Sequence, residues 1–222
     1  MLPLADDNSD RERWPVVTAV LIGLNVVAFL YETSLSPREL NAFIYQWAVV
    51  PARHDPVTFV TSMFLHGGWG HLLGNMLYLW IFGDNVEDRF GRFAFVLIYL
   101  AAGVCGALAQ VLVDPASRVP TLGASGAISG VLGAYIVMFP RKRVRVLLFF
   151  FLLDVPAFVV LGLWAATQFV SSFGALTMRT TETGGVAYMA HVGGFALGAI
   201  SAGLWRALMG PPRRRLPPPS PY

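Results

Sequence analysis

A serine set between glycines, two histidines and an asparagine carry the chemistry that this sequence offers. Ser125 lies in GASG (123–126), His191 in AHVGG (190–194), and His71 and Asn75 in HLLGN (71–75). Each cluster opens a long apolar run, where polar groups are costly and therefore mark a site by default. A serine hydroxyl is a weak nucleophile and needs a base to take its proton. Histidine suits that task near neutral pH. Ser125 with His191 therefore reads as a two-residue nucleophile–base pair of a hydrolase acting inside a bilayer. His71 and Asn75 are four residues apart and share a helical face. Beside a serine nucleophile they read as donors to an oxyanion, helped by the backbone N–H of Ser125 at its helix start.

The remaining polar residues read more plainly. Glu182 is a weak candidate for a carboxylate that orients the base. His66 reads as a loop or interface histidine, and His54 as a loop residue without a chemical argument. Asp154, followed by Pro156, reads as a buried acid at a loosened turn within a fifth helix. Metal binding is disfavoured: HExxH is absent, and no carboxylate accompanies the histidines at the outer helix ends. No cofactor is implied. Cys105 falls in an apolar helix and reads as packing, and one cysteine excludes an internal disulfide framework.

The elements that must position these groups follow from composition. The chain has 222 residues, 55% hydrophobic and 13% charged, against about 25% charged in a soluble domain. A span needs about 20 apolar residues. Six segments qualify, near 15–31, 69–86, 92–112, 123–139, 145–169 and 186–207. The expected fold is an all-α membrane protein of six transmembrane helices. Residues 1–14 form a cytoplasmic N-terminal segment, 15–207 the six-helix domain, and 208–222 a Pro/Arg-rich cytoplasmic tail. The first run lacks a cleavage site and reads as an uncleaved helix.

Placing the N-terminus in the cytoplasm puts twelve Lys and Arg inside and four outside. The positive-inside rule therefore favours a multi-pass protein with both termini cytoplasmic. That topology sets His71, Ser125 and His191 at a common depth, roughly 3–10 Å below the outer surface. Small-residue ridges offer the contact. Gly126, Gly130 and Ala134 recur every four residues, as do Gly194, Gly198 and Ala202, and such ridges let parallel helices approach closely in lipid. The dispersed basic excess sets topology rather than nucleic-acid binding.

With FLHGGWGHLLGNM (64–76), VEDRFG (86–91), GASG and AHVGGFALG (190–198) in that order, the chain resembles the rhomboid family of intramembrane serine proteases, in a minimal bacterial six-helix form. The resemblance covers roughly residues 15–207. It implies Ser125 as nucleophile, His191 as general base, His71 and Asn75 as oxyanion donors, and Gly123 near the oxyanion. The implied substrates are membrane-anchored proteins cut near the start of a transmembrane segment, in a bacterial plasma membrane. The resemblance assigns no oligomeric state. Two positions depart from it. Trp47 is followed by Ala48 where many members have an arginine, and Ser129 stands where some have a tyrosine beneath the histidine. Lateral substrate entry is expected past helix five, whose aromatic residues Phe149–Phe151, Phe158, Trp164 and Phe169 mark a candidate gate. A helix-binding protein without activity would be expected to lack Ser125 or His191. A small transporter would place its polar residues near the midplane.

Overall fold

The computed structural model describes residues 1–53, 55–178 and 187–210, with backbone alone over 173–178. His54, Arg179, Glu182 and the tail from Pro211 lie outside the described residues. The described chain is mostly helical. Its helices are α1 (Val16–Ser34), α2 (Pro37–Trp47), α3 (Thr58–Thr61), α4 (Trp69–Phe90), α5 (Arg92–Val113), α6 (Ser125–Met138), α7 (Ala157–Met178) and α8 (Tyr188–Met209). Among the described residues, α1, α5 and α8 are long and apolar enough to cross a membrane, while α6 and residues 157–172 are shorter apolar helices. With 14 residues, α6 is about 21 Å long at 1.5 Å per residue.

The all-α expectation needs a correction. Three strands, β1 (Leu2–Asp6), β2 (Arg143–Leu148) and β3 (Phe151–Pro156), form an antiparallel sheet in the order β1-β2-β3. Residues 145–156, expected within a fifth spanning helix, are thus mostly a hairpin, and the helix begins only at Ala157. The alternation Arg143-Val144-Arg145-Val146 explains the strand. Val144 and Val146 are fully buried beneath the bundle while Arg143 and Arg145 are exposed, a period of two. Asp154 is an exposed strand residue, not a buried helical acid. It accepts from Arg145 at 2.9 and 3.1 Å, and that guanidinium holds its carboxyl below the usual range. Phe149–Phe151 form the exposed hairpin tip rather than part of a helix. Phe149 has φ 54°, at a turn position where glycine is usual.

The sheet closes one end of the bundle. Residues 1–14 are built into that end. The Tyr135 hydroxyl donates to Asp6 Oδ2 at 2.6 Å, Arg11 pairs with Asp84 at 2.7 Å, and Lys142 reaches Asp10 and Asn85. The VEDRFG stretch does the pinning. Pro15 gives α1 no side-chain cap, and the buried Glu87 carboxylate supplies one from α4. It accepts from Val17 N–H at 2.9 Å, Thr18 N–H at 2.8 Å and the Thr18 hydroxyl at 2.9 Å. Such a carboxylate satisfies donors that every helix start leaves open. Asp88 accepts from the N–H groups of Glu12 and Arg13, and Arg89 donates to Gly210 O at 2.7 Å.

The centre of the bundle is a seam of glycine. A β-carbon on Gly194 would collide with the Gly126 carbonyl, and one on Gly198 with the Gly130 carbonyl. These paired positions ascend together, so α6 and α8 run parallel in backbone contact, as the ridges predict. Gly106 of α5 meets the Ala190 carbonyl in the same way. Every atom at such a contact gains dispersion partners in place of lipid.

Candidate active site

Ser125 is the first residue of α6, opposite the end that the sheet closes. His191 lies in the first turn of α8 and His71 in the first turn of α4. Three helix starts are therefore gathered at one end of the bundle. The segment leading to Ser125 is held by the long first loop. Val49 and Thr121 exchange backbone bonds of 3.0 and 2.7 Å, Ala52 N–H donates to Ser117 O at 3.0 Å, and Gly123 N–H donates to Ser62 O at 2.9 Å. With the carbonyls of Ser62 and Ser117 engaged, this irregular backbone is satisfied where it lines a cavity.

The seam between α6 and α8 sets the central geometry. His191 Nε2 lies 2.7 Å from Ser125 Oγ, within the range for an O–H donating to a ring nitrogen. The pair opens into a cavity of about 630 Å³, lined also by His71, Asn75, Tyr78 and Trp164. Gly123, with φ +123°, sits beside both oxyanion candidates. A β-carbon there would come 2.6 Å from His71 Cε1 and 3.8 Å from Asn75 Nδ2. Its own N–H is engaged by Ser62 O, so glycine serves here by leaving room and by adopting a conformation that other residues avoid. The Ser125 N–H, at a helix start, has no acceptor four residues back.

The histidines' partners define their tautomers. His71 Nδ1 accepts a long 3.4 Å contact from Gly67 N–H, which leaves the proton on Nε2, the atom on the Gly123 side. Asn75 Nδ2 lies 3.0 Å from His66 Nε2 and donates to it, keeping its second proton for another acceptor. His66 lies in the loop before α4, as expected, but it is a buried partner, 2% exposed, rather than a surface histidine. Its backbone N–H donates to the Glu32 carboxylate at 3.3 Å. Glu32, buried near the end of α1, was not singled out in the sequence, although a carboxylate closing an apolar run is itself a signal.

One further residue, Gln168, was missed, and it bears on the support of His191. Ser129, where some rhomboids have a tyrosine, donates to Ser125 O at 2.6 Å and so turns to its own helix. The support comes from α7 instead. Gln168 Oε1 lies 2.7 Å from His191 Nδ1, and the Trp164 ring lies 6.0 Å from the imidazole, centroid to centroid. Trp164 and Gln168 are four apart and share the face of α7 turned to α8. No group of three or more His, Cys, Asp or Glu side chains placed to hold a metal occurs among the described residues.

This arrangement can transfer a proton from Ser125 to His191 beside a group of N–H donors facing the same cavity. Comparison with known proteins places it in context. Residues 53–207 match the Rhomboid domain family model. The chain is 31% identical over 186 residues to Rhomboid protein 1, mitochondrial, of Saccharomyces cerevisiae, covering 81% of this chain and 50% of that protein. It is 38% identical over 134 residues to Rhomboid protease GluP of Bacillus subtilis, covering 58% of this chain and 26% of that one. Rhomboid-like protein 11, chloroplastic, of Arabidopsis thaliana is 29% identical over 208 residues, with 90% and 69% covered. The matches thus span half the yeast protein and about a quarter of the Bacillus one.

Proposed function

The chain is an integral membrane protein that belongs to the rhomboid family, and from that premise we propose that it is an intramembrane serine endopeptidase cutting single-span membrane proteins within or near their transmembrane segment. The observation that carries this reading is the 2.7 Å contact between His191 Nε2 and Ser125 Oγ at the wall of an open cavity. Ser125 Oγ attacks the scissile carbonyl carbon while His191 Nε2 takes the hydroxyl proton. The carbonyl oxygen becomes an oxyanion, met by N–H groups of His71 Nε2, Asn75 Nδ2 and the Ser125 backbone. His191 returns the proton to the leaving amine as the C–N bond breaks. Water enters through the cavity and hydrolyses the acyl-serine by the same steps in reverse order. No cofactor takes part.

The topology that fits is six spans, α1, α4, α5, α6, α7 and α8, within a catalytic unit of residues 15–207. Both termini and the sheet lie in the cytoplasm and the site opens outward. The short α6 supports this, because a helix of about 21 Å starting at Ser125 leaves the nucleophile below the surface of a core of about 30 Å. Substrate enters laterally past α7, which carries Phe158, Trp164 and Phe169.

The test is cleavage of a model single-span substrate in liposomes. Ser125→Ala and His191→Ala are expected to abolish turnover, and a fluorophosphonate is expected to label Ser125 only when His191 is present. Turnover at the native rate in either variant rejects the dyad.

A further inference from the structure

Nucleophile and base account for two corners of the site, but a histidine base also needs its other nitrogen assigned. Only when Nδ1 carries the proton does Nε2 present a lone pair to Ser125. Ser–His–Asp sites solve this with a carboxylate. Here the group at Nδ1 is a neutral amide, Gln168 Oε1 at 2.7 Å, delivered by a different helix from those that carry the pair.

We propose that Gln168 is the positioning residue of His191, selecting its Nδ1–H tautomer, and that α7 thereby couples the cover of the site to the competence of its base. The proposal rests on the Ser125–His191 reading above and deepens it. An amide can face a ring nitrogen in two ways. With Oε1 inward, Nδ1 donates and Nε2 accepts the serine proton. With the NH₂ inward, Nδ1 would have to accept, Nε2 would carry the hydrogen, and the base would be lost. The surroundings favour the first. The outward Gln168 Nε2 lies 3.5 Å from Thr167 Oγ1, whose own proton goes to Trp164 O at 2.7 Å, so its lone pairs are available to the amide. The Ser172 hydroxyl donates to the Gln168 backbone carbonyl at 2.8 Å, a bond within α7 that leaves Oε1 to His191. Trp164, one turn earlier on the same face, lies against His191 and Phe195, each at 6.0 Å.

The consequence is a linkage. The α6–α8 seam is backbone against backbone, whereas α7 meets α8 through side chains. Displacing α7 to admit a substrate helix withdraws the Gln168 acceptor and leaves both tautomers open to His191. Closing α7 over the bound segment restores the Nδ1–H form. The base is therefore fully set only when the site is covered.

Three variants test this in liposomes. Gln168→Met keeps length and volume but removes the acceptor, and is expected to lower kcat about 10- to 100-fold with KM within about twofold of native. Gln168→Glu restores an acceptor and adds a charge, so it is expected to recover turnover and to move the acidic limb of the pH–rate profile to higher pH. Nitrogen-15 spectra of labelled His191 are expected to show a protonated Nδ1 in the native protein and a mixture in Gln168→Met. Native kcat and an unchanged pH profile in Gln168→Met overturn the proposal, as does a loss in Gln168→Glu equal to that in Gln168→Met. Ser125→Ala is the separate control. If it stays active, the dyad reading fails. If it is dead while Gln168→Met is native, only the positioning role fails.

Discussion

In the proposed mechanism Asn75 uses one amide for two purposes. One proton goes to His66 Nε2 at 3.0 Å, and the other is free to meet an oxyanion that exists only in the transition state. Asn75→Ala should therefore lower kcat by a hundredfold or more, about 3 kcal/mol, with little change in KM. His66→Ala should cost less, about tenfold, because it loosens the donor without removing it. Steady-state kinetics on the model substrate compare the two, and a His66→Ala loss equal to that of Asn75→Ala would show that His66 meets the oxyanion itself. At this scale the sequence was readable where the chemistry was dense. Ser125, His191, His71 and Asn75 sit in glycine-rich clusters that interrupt apolar runs. Gln168 does not. Its partner is 23 residues away on another helix, so no spacing rule joins them, and an isolated glutamine in a span reads as a neutral polar residue.

The parallel pairing of α6 and α8 was legible from the small residues recurring every fourth position, since that period is the face of a helix. Its test is a pair of alanine substitutions on α8. Gly194→Ala should strongly destabilise the fold and abolish turnover, because the new methyl meets the Gly126 carbonyl. Gly203→Ala meets nothing within 4 Å and should leave activity intact and raise stability by about 0.5–1 kcal/mol through helix propensity. Thermal unfolding in detergent reads both, and a Gly194→Ala protein as stable as the native one would refute the seam. The hairpin was the element that hydropathy misread. The run from Val144 to Val155 is apolar enough for a span, and a short apolar run does not by itself distinguish strand from helix. The alternation at residues 143–146 was the signal available, confined to four residues and overridden by the Phe and Leu that follow.

Among the described residues two polar clusters lie at opposite ends of the bundle. The site occupies one. At the other, Asp6 joins sheet to bundle, accepting from Tyr135 and from Asn85 Nδ2 at 2.7 Å. Burial pushes its pKa up to about 7 from 3.8; the Tyr135 bond and Lys142 pull it down, while Asp84 and Asp7 raise it. Because the folded carboxyl holds its proton more tightly than the unfolded one, its contribution to stability is complete below about pH 4. It is lost as pH rises through about 7. Melting temperatures in detergent should fall over that window, and Asp6→Asn, which keeps an acceptor for Tyr135, should flatten the fall; an unchanged slope would place the effect elsewhere. The glycine seam has a last consequence, for time rather than energy. With glycine against carbonyl at Gly194–Gly126 and Gly198–Gly130, α6 and α8 are expected to move as one body, leaving the Ser125–His191 distance to side-chain libration on the picosecond to nanosecond scale. The α7 helix is anchored in the core at its start by Ala157, Val160 and Leu161 and meets His191 farther along through an indole and an amide; as the proposed gate it would belong to the microsecond to millisecond scale of gating elements. On the proposed reading, reactive geometry and access thus keep separate clocks, and the slower one sets how often the faster one is used.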